Sequence, residues 1–275
     1  MNKDKFFELL RLPSRGGKNQ QIHTYIKYEL DQLHIPYQIF NKTTIYNIND
    51  PTLPLFAAHT DTVRTEADDK VAPDNIKEFD FKGMTIINNE KHILGGDDMC
   101  GVHIILELLK AGKKINFLFD DNEETVWQAS SRDFVRSFSK ELSNIPYGIV
   151  LDRKGNTDII CTYNRYGHQD FENALIEVGE PFGYYPEVGM CSDADFIRNV
   201  ISCANLGVGY QKAHTNKEFV VWEHMENAFN YSIAIIDTIH KKYPVNPHIF
   251  TRYWENSIVE QVNTIIDASG VLGYR

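Results

Sequence analysis

Cysteine is scarce in this chain, and its spacing excludes several kinds of site. The sequence has four cysteines in 275 residues, and no two of them form a C-x-x-C pair. A structural zinc site built on thiolates is therefore not expected, nor is a thioredoxin-like redox motif. We expect the thiols to be reduced, as they are in cytoplasmic proteins.

Long hydrophobic runs and an excess of basic residues are also missing. No apolar run reaches the roughly 18 residues of a membrane span, so no membrane association is expected. The opening stretch MNKDKFFELL lacks the apolar core and the cleavage site of a signal peptide. Lys and Arg number 28 against 38 Asp and Glu, which gives a formal net charge of −10. Because no Lys/Arg stripe relieves this acidity, nucleic acid is not an expected partner.

Short apolar runs alternate along the chain with helical patterns. Hydrophobic residues make up 42% and charged residues 24%, which is ordinary for a globular protein. The alternation predicts a single α/β domain of three layers, helix, sheet and helix, around a mixed and mostly parallel sheet. The strand-like runs are Pro54–Ala58, Ile115–Phe119, Gly148–Leu151 and Ala204–Val208, with two edge strands over 36–48. The predicted helices are 5–11, 18–34, 99–111, 129–141, 168–178 and 222–242.

Polar clusters follow or adjoin the predicted strands. In open α/β sheets the loops at the carboxyl ends of the strands converge on a crevice in which ligands bind. The clusters supply two histidines and several carboxylates, which are ligands for Zn²⁺, Mn²⁺ or Co²⁺. They are His59-Thr-Asp61, Gly95–Gly101, Asp120–Glu124, Asp152-Arg153 and Ala213-His214-Thr215.

Each cluster taken alone has a plainer interpretation. His59 by itself suits a buried, hydrogen-bonded histidine, and Asp97-Asp98 suits the N-terminus of a helix. Glu123-Glu124 by itself suits a solvated loop. The order and spacing of all the clusters together favour a metal site.

As a set, the clusters closely resemble the motifs of the di-zinc exopeptidase superfamily, which includes aminopeptidases, peptidase T and carboxypeptidase G-like zinc peptidases. The resemblance implies a zinc-peptidase-like fold and an aminopeptidase-like exopeptidase that cleaves peptide bonds with a water bridging two metal ions. The matching stretches lie between residues 57 and 220: AAHTDTV (57–63), LGGDDMCGV (94–102), FDDNEE (119–124), VLDRKG (150–155), CSDADF (191–196) and GVGYQKAHTNKEFV (207–220).

The resemblance also implies a cofactor of two divalent ions, zinc in the first place, with manganese and cobalt as alternatives. It assigns His59 and Asp152 to one ion. It assigns Glu124 and His214 to the other. Asp97 is the implied bridge between the two ions.

Two further acids receive catalytic roles from the resemblance. Asp61 is expected to accept a hydrogen bond from the ring of His59, since ligand histidines are commonly oriented by carboxylates. Glu123 is expected to be the general base. Because successive residues of a regular strand point to opposite faces, we expect Glu123 and Glu124 to lie in an irregular loop.

The sequence departs from the family pattern in two places. Relatives of the peptidase T and carboxypeptidase type carry a lid domain between the lone Asp ligand and the S-D motif, whereas Asp152 and Ser192 are only 40 residues apart here. No inserted domain fits in that length. Glu124 is followed by Thr-Val-Trp instead of a glycine-rich stretch, and for Trp127 core packing is the better interpretation. The candidates for substrate binding are Ser192, Asp193, Arg165, Tyr166 and His168, and a surface turn is the alternative for the last three.

We divide the chain into a catalytic domain, residues 1–243, and a C-terminal extension, residues 244–275. A helix is predicted at 256–268. The aromatic residues Phe250, Tyr253 and Trp254 predict that the extension packs onto the domain, because they are poorly suited to solvent. A dimer contact is the alternative.

The motifs leave other functions open. An amidase, a deacetylase or a carboxypeptidase can use the same metal pair. The motifs indicate the metal ligands, but they do not indicate which side of the scissile bond the enzyme recognises. A non-catalytic binding module is expected to lack a metal ligand or the base, whereas this sequence retains all five ligands and Glu123. The expected partner is a peptide or small amide substrate, and an oligomer is possible.

Overall fold

The computed structural model describes residues 1–81, 84–88, 91–124, 129–189 and 192–245. The predicted helix at 256–268 lies outside these residues. So do Trp127, Phe250, Tyr253 and Trp254.

The described residues alternate between strands and helices. The strands are β1 (Gln38–Phe40), β2 (Thr44–Asn47), β3 (Leu55–His59), β4 (Lys77–Phe81), β5 (Met84–Asn88), β6 (Asn116–Asp120), β7 (Gly148–Arg153), β8 (Asp158–Ile160), β9 (Tyr185–Pro186), β10 (Cys203–Gly207), β11 (Tyr210–Gln211) and β12 (Phe219–Val221). The helices are α1 (Lys3–Arg11), α2 (Gln20–Gln32), α3 (Glu66–Asn75), α4 (Gly96–Lys110), α5 (Ala129–Ser137), α6 (Ser139–Leu142), α7 (Gln169–Gly179), α8 (Ala194–Ile197) and α9 (Trp222–Thr238).

Eight strands form the main sheet, in the order β1-β2-β6-β3-β7-β10-β8-β9. The four central strands, β6, β3, β7 and β10, run parallel. β1 and β2 extend one edge in antiparallel fashion, while β8 is antiparallel to β10 and parallel to β9 at the other edge. The predicted mixed, mostly parallel sheet is confirmed, and so are the two edge strands over 36–48.

Helices cover both faces of this sheet. Along β3 every residue is buried, and successive residues point to opposite faces. Phe56 and Ala58 belong to one core cluster, which also contains residues of α1, α2, α4, α7 and α9. Leu55 and Ala57 belong to a second cluster, with residues of α5, α6 and α8. The predicted three-layer arrangement is therefore confirmed.

A second, antiparallel sheet was not expected from the sequence. Its four strands lie in the order β11-β12-β5-β4. Helix α3 was also missed, because its sequence EADDKVAPDN has little apolar periodicity. Thr65 and Asp68 form a capping box at its start, and the T-x-x-D pattern is the sequence signal that could have revealed it.

The segment between Asp152 and Ser192 builds no separate domain in its described residues. It supplies β8, α7 and β9 to the main body. The expected lack of an inserted lid domain is therefore confirmed there. Tyr243, just before the predicted extension, packs against Phe171 with ring centroids 4.9 Å apart.

No helix in the described part of the chain combines the length and the apolar character of a membrane span.

Candidate active site

The candidate site lies at the carboxyl ends of the central parallel strands. His59 is the last residue of β3, where it pairs with Asp120 at the end of β6. Asp152 lies near the end of β7, the strand on the other side of β3. Because the three strands are parallel, their last residues and the following loops meet at one edge of the sheet.

Asp97 lies between the two histidines that the sequence singled out. One of its carboxylate oxygens, Oδ1, is 3.2 Å from Nε2 of His59. The other, Oδ2, is 3.2 Å from Nε2 of His214. The backbone at Asp97 and Asp98 departs from helical geometry at the start of α4, and the peptide bond between them is cis.

The remaining predicted ligands complete two groups around Asp97. Asp152 Oδ1 lies 3.5 Å from His59 Nε2, and Glu124 Oε1 lies 2.6 Å from His214 Nε2. In each group, one oxygen or nitrogen from every residue lies within 4.8 Å of the others. The structure therefore brings together all five residues to which the resemblance assigned metal binding.

His59 offers the ring nitrogen that a metal ligand needs. Its Nδ1–H donates to the backbone carbonyl of Asp61 at 2.8 Å. In the neutral ring this bond leaves the lone pair of Nε2 directed at Asp97 and Asp152. The carboxylate of Asp61, which we expected to accept this bond, is 3.7 Å from Nδ1.

The carboxylate of Asp61 instead fixes the Glu123-Glu124 pair. Its Oδ1 accepts the N–H of Glu123 at 3.0 Å, and its Oδ2 accepts the N–H of Glu124 at 3.2 Å. The pair lies in a turn after β6, preceded by Asn122 in the left-handed region at φ 66°. The expected irregular loop is confirmed, and it allows adjacent glutamates to face one site.

Two residues that the sequence did not single out hold Asp152. Asn205 on β10 donates to the carbonyl of Asp152 and accepts its N–H, each at 3.0 Å. The hydroxyl of Tyr210 donates to Asp152 Oδ1 at 3.2 Å. These bonds orient the carboxylate toward His59.

Sequence reasoning also missed Glu218, a fully buried acid. Its Oε2 accepts the N–H of Gly95 at 2.7 Å, and its Oε1 accepts the N–H of Asp97 at 3.0 Å. Glu218 therefore fixes the backbone that presents Asp97. Its place within the matching stretch 207–220 is the one sequence signal that could have found it.

The electrostatics of the site are those of crowded, buried carboxylates. Burial raises the pKa of Asp152 to about 8, and the charges of Asp97 and Glu123 act in the same direction, against the lowering effect of His59. Burial also acts to raise the pKa of Asp97, but hydrogen bonds from the protonated rings of His214 and His59 outweigh it and hold that pKa below its ordinary value. The same bond to Asp97, with one to Glu124, raises the pKa of His214 to about 10.

This donor set fits divalent metal ions. Imidazole nitrogen and carboxylate oxygen are the ligands of zinc and related ions, and no thiolate takes part. The raised pKa values of Asp152 and His214 mean that the crowded carboxylates favour bound protons, whose positive charge compensates part of their negative charge. Divalent cations supply that compensation directly.

A pocket of about 380 Å³ opens onto these groups. Ligand pockets are typically about 300–1,000 Å³, so this one has room for a small substrate. Its lining residues are Asp97, Glu123, Glu124, Asp152, Arg153, Lys154, Ile160, Gly189, Asn205, Tyr210, Lys212, Ala213 and His214.

In the part of the chain that the structure describes, none of the five predicted substrate-binding residues lines this pocket. Tyr166 is buried in the second core cluster, and its hydroxyl is 3.3 Å from a carboxylate oxygen of Asp195. His168 caps α7, where its ring accepts the N–H of Asp170. The other three are Arg165, whose φ of 58° marks a tight turn, and the buried pair Ser192 and Asp193 before α8.

Comparison with known proteins identifies the fold. No family profile and no curated protein matches the chain by sequence. Aminopeptidase PepT from Bacillus cereus is similar in structure, with a TM-score of 0.64 at 15% sequence identity, over 85% of this chain and 96% of that chain. A TET aminopeptidase from a Thaumarchaeota archaeon of marine sediment has a TM-score of 0.65 at 12% identity, over 87% and 98%.

A third similar structure is the TET1 peptidase of Pyrococcus horikoshii, with a TM-score of 0.64 at 13% identity, over 86% of this chain and 99% of that chain. That peptidase assembles into a tetrahedron or a large octahedral shell. These likenesses confirm the predicted peptidase-like α/β fold. They also confirm, at the level of the fold, the resemblance that the motifs indicated.

Proposed function

We propose that this chain is a metal-dependent exopeptidase of the aminopeptidase kind, with two divalent ions, zinc first among them, as its cofactor. The observation that carries the proposal is the position of Asp97, whose two oxygens each lie 3.2 Å from a different histidine. One carboxylate shared in this way is what a two-ion centre requires. The peptidase fold supports the substrate class by analogy.

The residues that would hold the ions form two groups that share Asp97. His59 and Asp152 complete one group, and Glu124 and His214 complete the other. Ions bound there supply Lewis acidity, which lowers the pKa of water and polarises a carbonyl oxygen.

Glu123 is the proposed catalytic base. It lines the pocket, and one of its oxygens lies within 4.8 Å of ligand atoms of His59 and Glu124. Its backbone is held by Asp61, so the carboxylate is presented from a fixed turn. Glu123 accepts a proton from the attacking water and passes it to the departing nitrogen, which cannot leave as an amide anion.

The substrate class we propose is a peptide or a small amide, processed by the catalytic unit of residues 1–243. We also propose that the chain works in the cytoplasm. The support for this is that Cys100, Cys161 and Cys203 are buried free thiols, as expected in a reducing compartment.

The test of the base is Glu123→Gln, which keeps the size of the side chain but cannot take up the proton. We expect kcat to fall by at least about 10²-fold with KM little changed, because the group acts in the transition state. Metal content, measured by mass spectrometry, should stay close to that of the wild type. Glu124→Gln is the matched control, and it should lose occupancy of one ion. If Glu123→Gln loses metal while Glu124→Gln keeps it, the two roles are reversed.

The side of the scissile bond is tested with blocked peptides. Aminoacyl peptides with a free amino group and peptides with a blocked amino group are assayed side by side, before and after chelation. Hydrolysis that needs the free amino group and disappears on chelation supports an aminopeptidase. Full hydrolysis after exhaustive chelation would show that the reaction needs no metal.

A further inference from the structure

The pocket has basic side chains in its wall, in addition to the acids that face the proposed ions. Arg153 ends β7, Lys154 follows it, and Lys212 follows β11. The two lysines therefore reach the pocket from separate loops. Basic residues are the minority in this acidic chain, so their convergence here is not a consequence of composition.

The charges of these basic residues are not equally compensated. Nε of Arg153 donates to Asp158 at 2.9 Å, and a second guanidinium nitrogen donates to the carbonyl of Val188. Arg153 is thus neutralised and fixed as part of the wall. Among the described residues, no carboxylate lies within 4.0 Å of the amine of Lys154 or Lys212.

Lys212 is exposed, but its amine lies near an aromatic ring. Its amine lies 5.7 Å from the centroid of the Phe219 ring, within reach of a cation–π contact. The residue has a left-handed backbone at φ 54°, two positions before His214. The amine therefore lies against an uncharged ring near His214, and this contact brings no negative charge that would compensate it.

We propose that Lys154 and Lys212 bind a carboxylate of the substrate, so that the pocket selects short peptides that carry one. This inference rests on the proposed function, because ions held by the acids of the site would offset those acids and leave the two ammonium charges in excess. A concave site with one sign of charge concentrates ligands of the opposite sign. Two donors from separate loops can also hold the two oxygens of a single carboxylate.

The carboxylate can be the C-terminus of a short peptide or an acidic side chain. Two substrate pairs separate these sources. The first pair is a tripeptide with neutral side chains and the same tripeptide with an amidated C-terminus. The second pair consists of amidated tripeptides that differ only by Glu against Gln at one position.

The wild-type protein, loaded with zinc, should show a higher kcat/KM for the carboxylate member of at least one pair, chiefly through a lower KM. In the double variant Lys154→Gln, Lys212→Gln this preference should fall by roughly tenfold, which is the scale of charge-assisted contacts at a partly exposed site. Lys217→Gln is the matched control. Lys217 is exposed on the same loop but does not line the pocket, so the variant should keep the wild-type preference.

A binding measurement separates this inference from the proposed function. In Glu123→Gln loaded with zinc, calorimetry should give a lower Kd for the same carboxylate member, and adding the two lysine substitutions should remove the difference. Equal kcat/KM and equal Kd within both pairs would overturn the inference, as would a preference that survives the loss of both lysines. Preferential binding of the carboxylate member by a wild-type protein that hydrolyses none of the peptides would uphold the inference and refute the exopeptidase.

Discussion

Removing the carboxylate of Glu218 should weaken ion binding, although this residue is not a proposed ligand. Its two oxygens accept the N–H groups of Gly95 and Asp97, and the side chain is fully buried. Glu218→Gln keeps one acceptor oxygen and turns an amide nitrogen toward the other N–H. The backbone that presents Asp97 then loses one of its two anchors.

The magnitude follows from the two hydrogen bonds. Leaving one buried N–H unsatisfied costs about 1–3 kcal/mol, and that is the expected loss in the free energy of unfolding for Glu218→Gln. This penalty is partly offset because the variant no longer buries a carboxylate. Burial and the charge of Asp97 raise the pKa of Glu218 to about 7. Zinc affinity should fall by about 10–100-fold, the usual cost of losing a group that orients a ligand.

Urea unfolding and zinc titration against a competing chelator measure the two effects separately. The matched control is Glu172→Gln. Glu172 is a buried acid on α7 that does not line the pocket, and it accepts the N–H and the hydroxyl of Thr162 at 2.8 and 2.7 Å. The control should lose stability with no change in zinc affinity. Wild-type zinc affinity in Glu218→Gln would refute the idea that Glu218 positions Asp97.

Two further predictions concern buried polar groups. Asp61→Asn has one acceptor oxygen for the two N–H groups of Glu123 and Glu124, so we expect activity or metal affinity to fall by about 10–100-fold, as steady-state kinetics and metal titration can check. Wild-type values would make Asp61 an ordinary loop residue. Burial lowers the pKa of His103 from 6.5 to about 3. At pH values between these two, the unfolded chain therefore binds a proton that the folded chain does not bind. His103 therefore costs the protein stability as the pH falls below 6.5. The free energy of unfolding of His103→Gln relative to the wild type should rise by about 2–3 kcal/mol between pH 7 and pH 4.5, and a difference independent of pH in urea unfolding would contradict this reasoning.

The main sheet could be predicted because its central strands are buried on both faces. Such strands have continuous apolar runs in their sequence, and the runs at 54–58 and 115–119 correspond to β3 and β6. The small sheet could not be predicted in the same way. β11 and β12 have two and three residues, too few for a period to be visible.

The single helix predicted at 129–141 is two helices, α5 and α6, which meet at Phe138. The apolar period continues across the junction, since Phe134 and Leu142 belong to the same core cluster. Periodicity reports which residues face the core, and it does not report a local break in the backbone.

The proposed ligands were accessible from the sequence because each belongs to a short motif at the end of a strand or the start of a helix. The groups that position them were not, because they come from distant parts of the chain. Glu218 is 123 residues from Gly95, whose N–H it accepts. The surroundings of the predicted substrate-binding residues at 165–168 also depend on distant segments, and only the folded structure shows that Tyr166 packs in the second core cluster.

The central claim is that two ions share Asp97, and counting bound metal in Asp97→Ala tests it most directly. Zinc per chain is measured by mass spectrometry after dialysis, for the wild type and for the variant, with circular dichroism to show that both are folded. The account predicts two ions in the wild type and the loss of both in the variant, because Asp97 offers one oxygen to each group. Two tightly bound ions in the folded variant, or a single ion in the wild type, would contradict it.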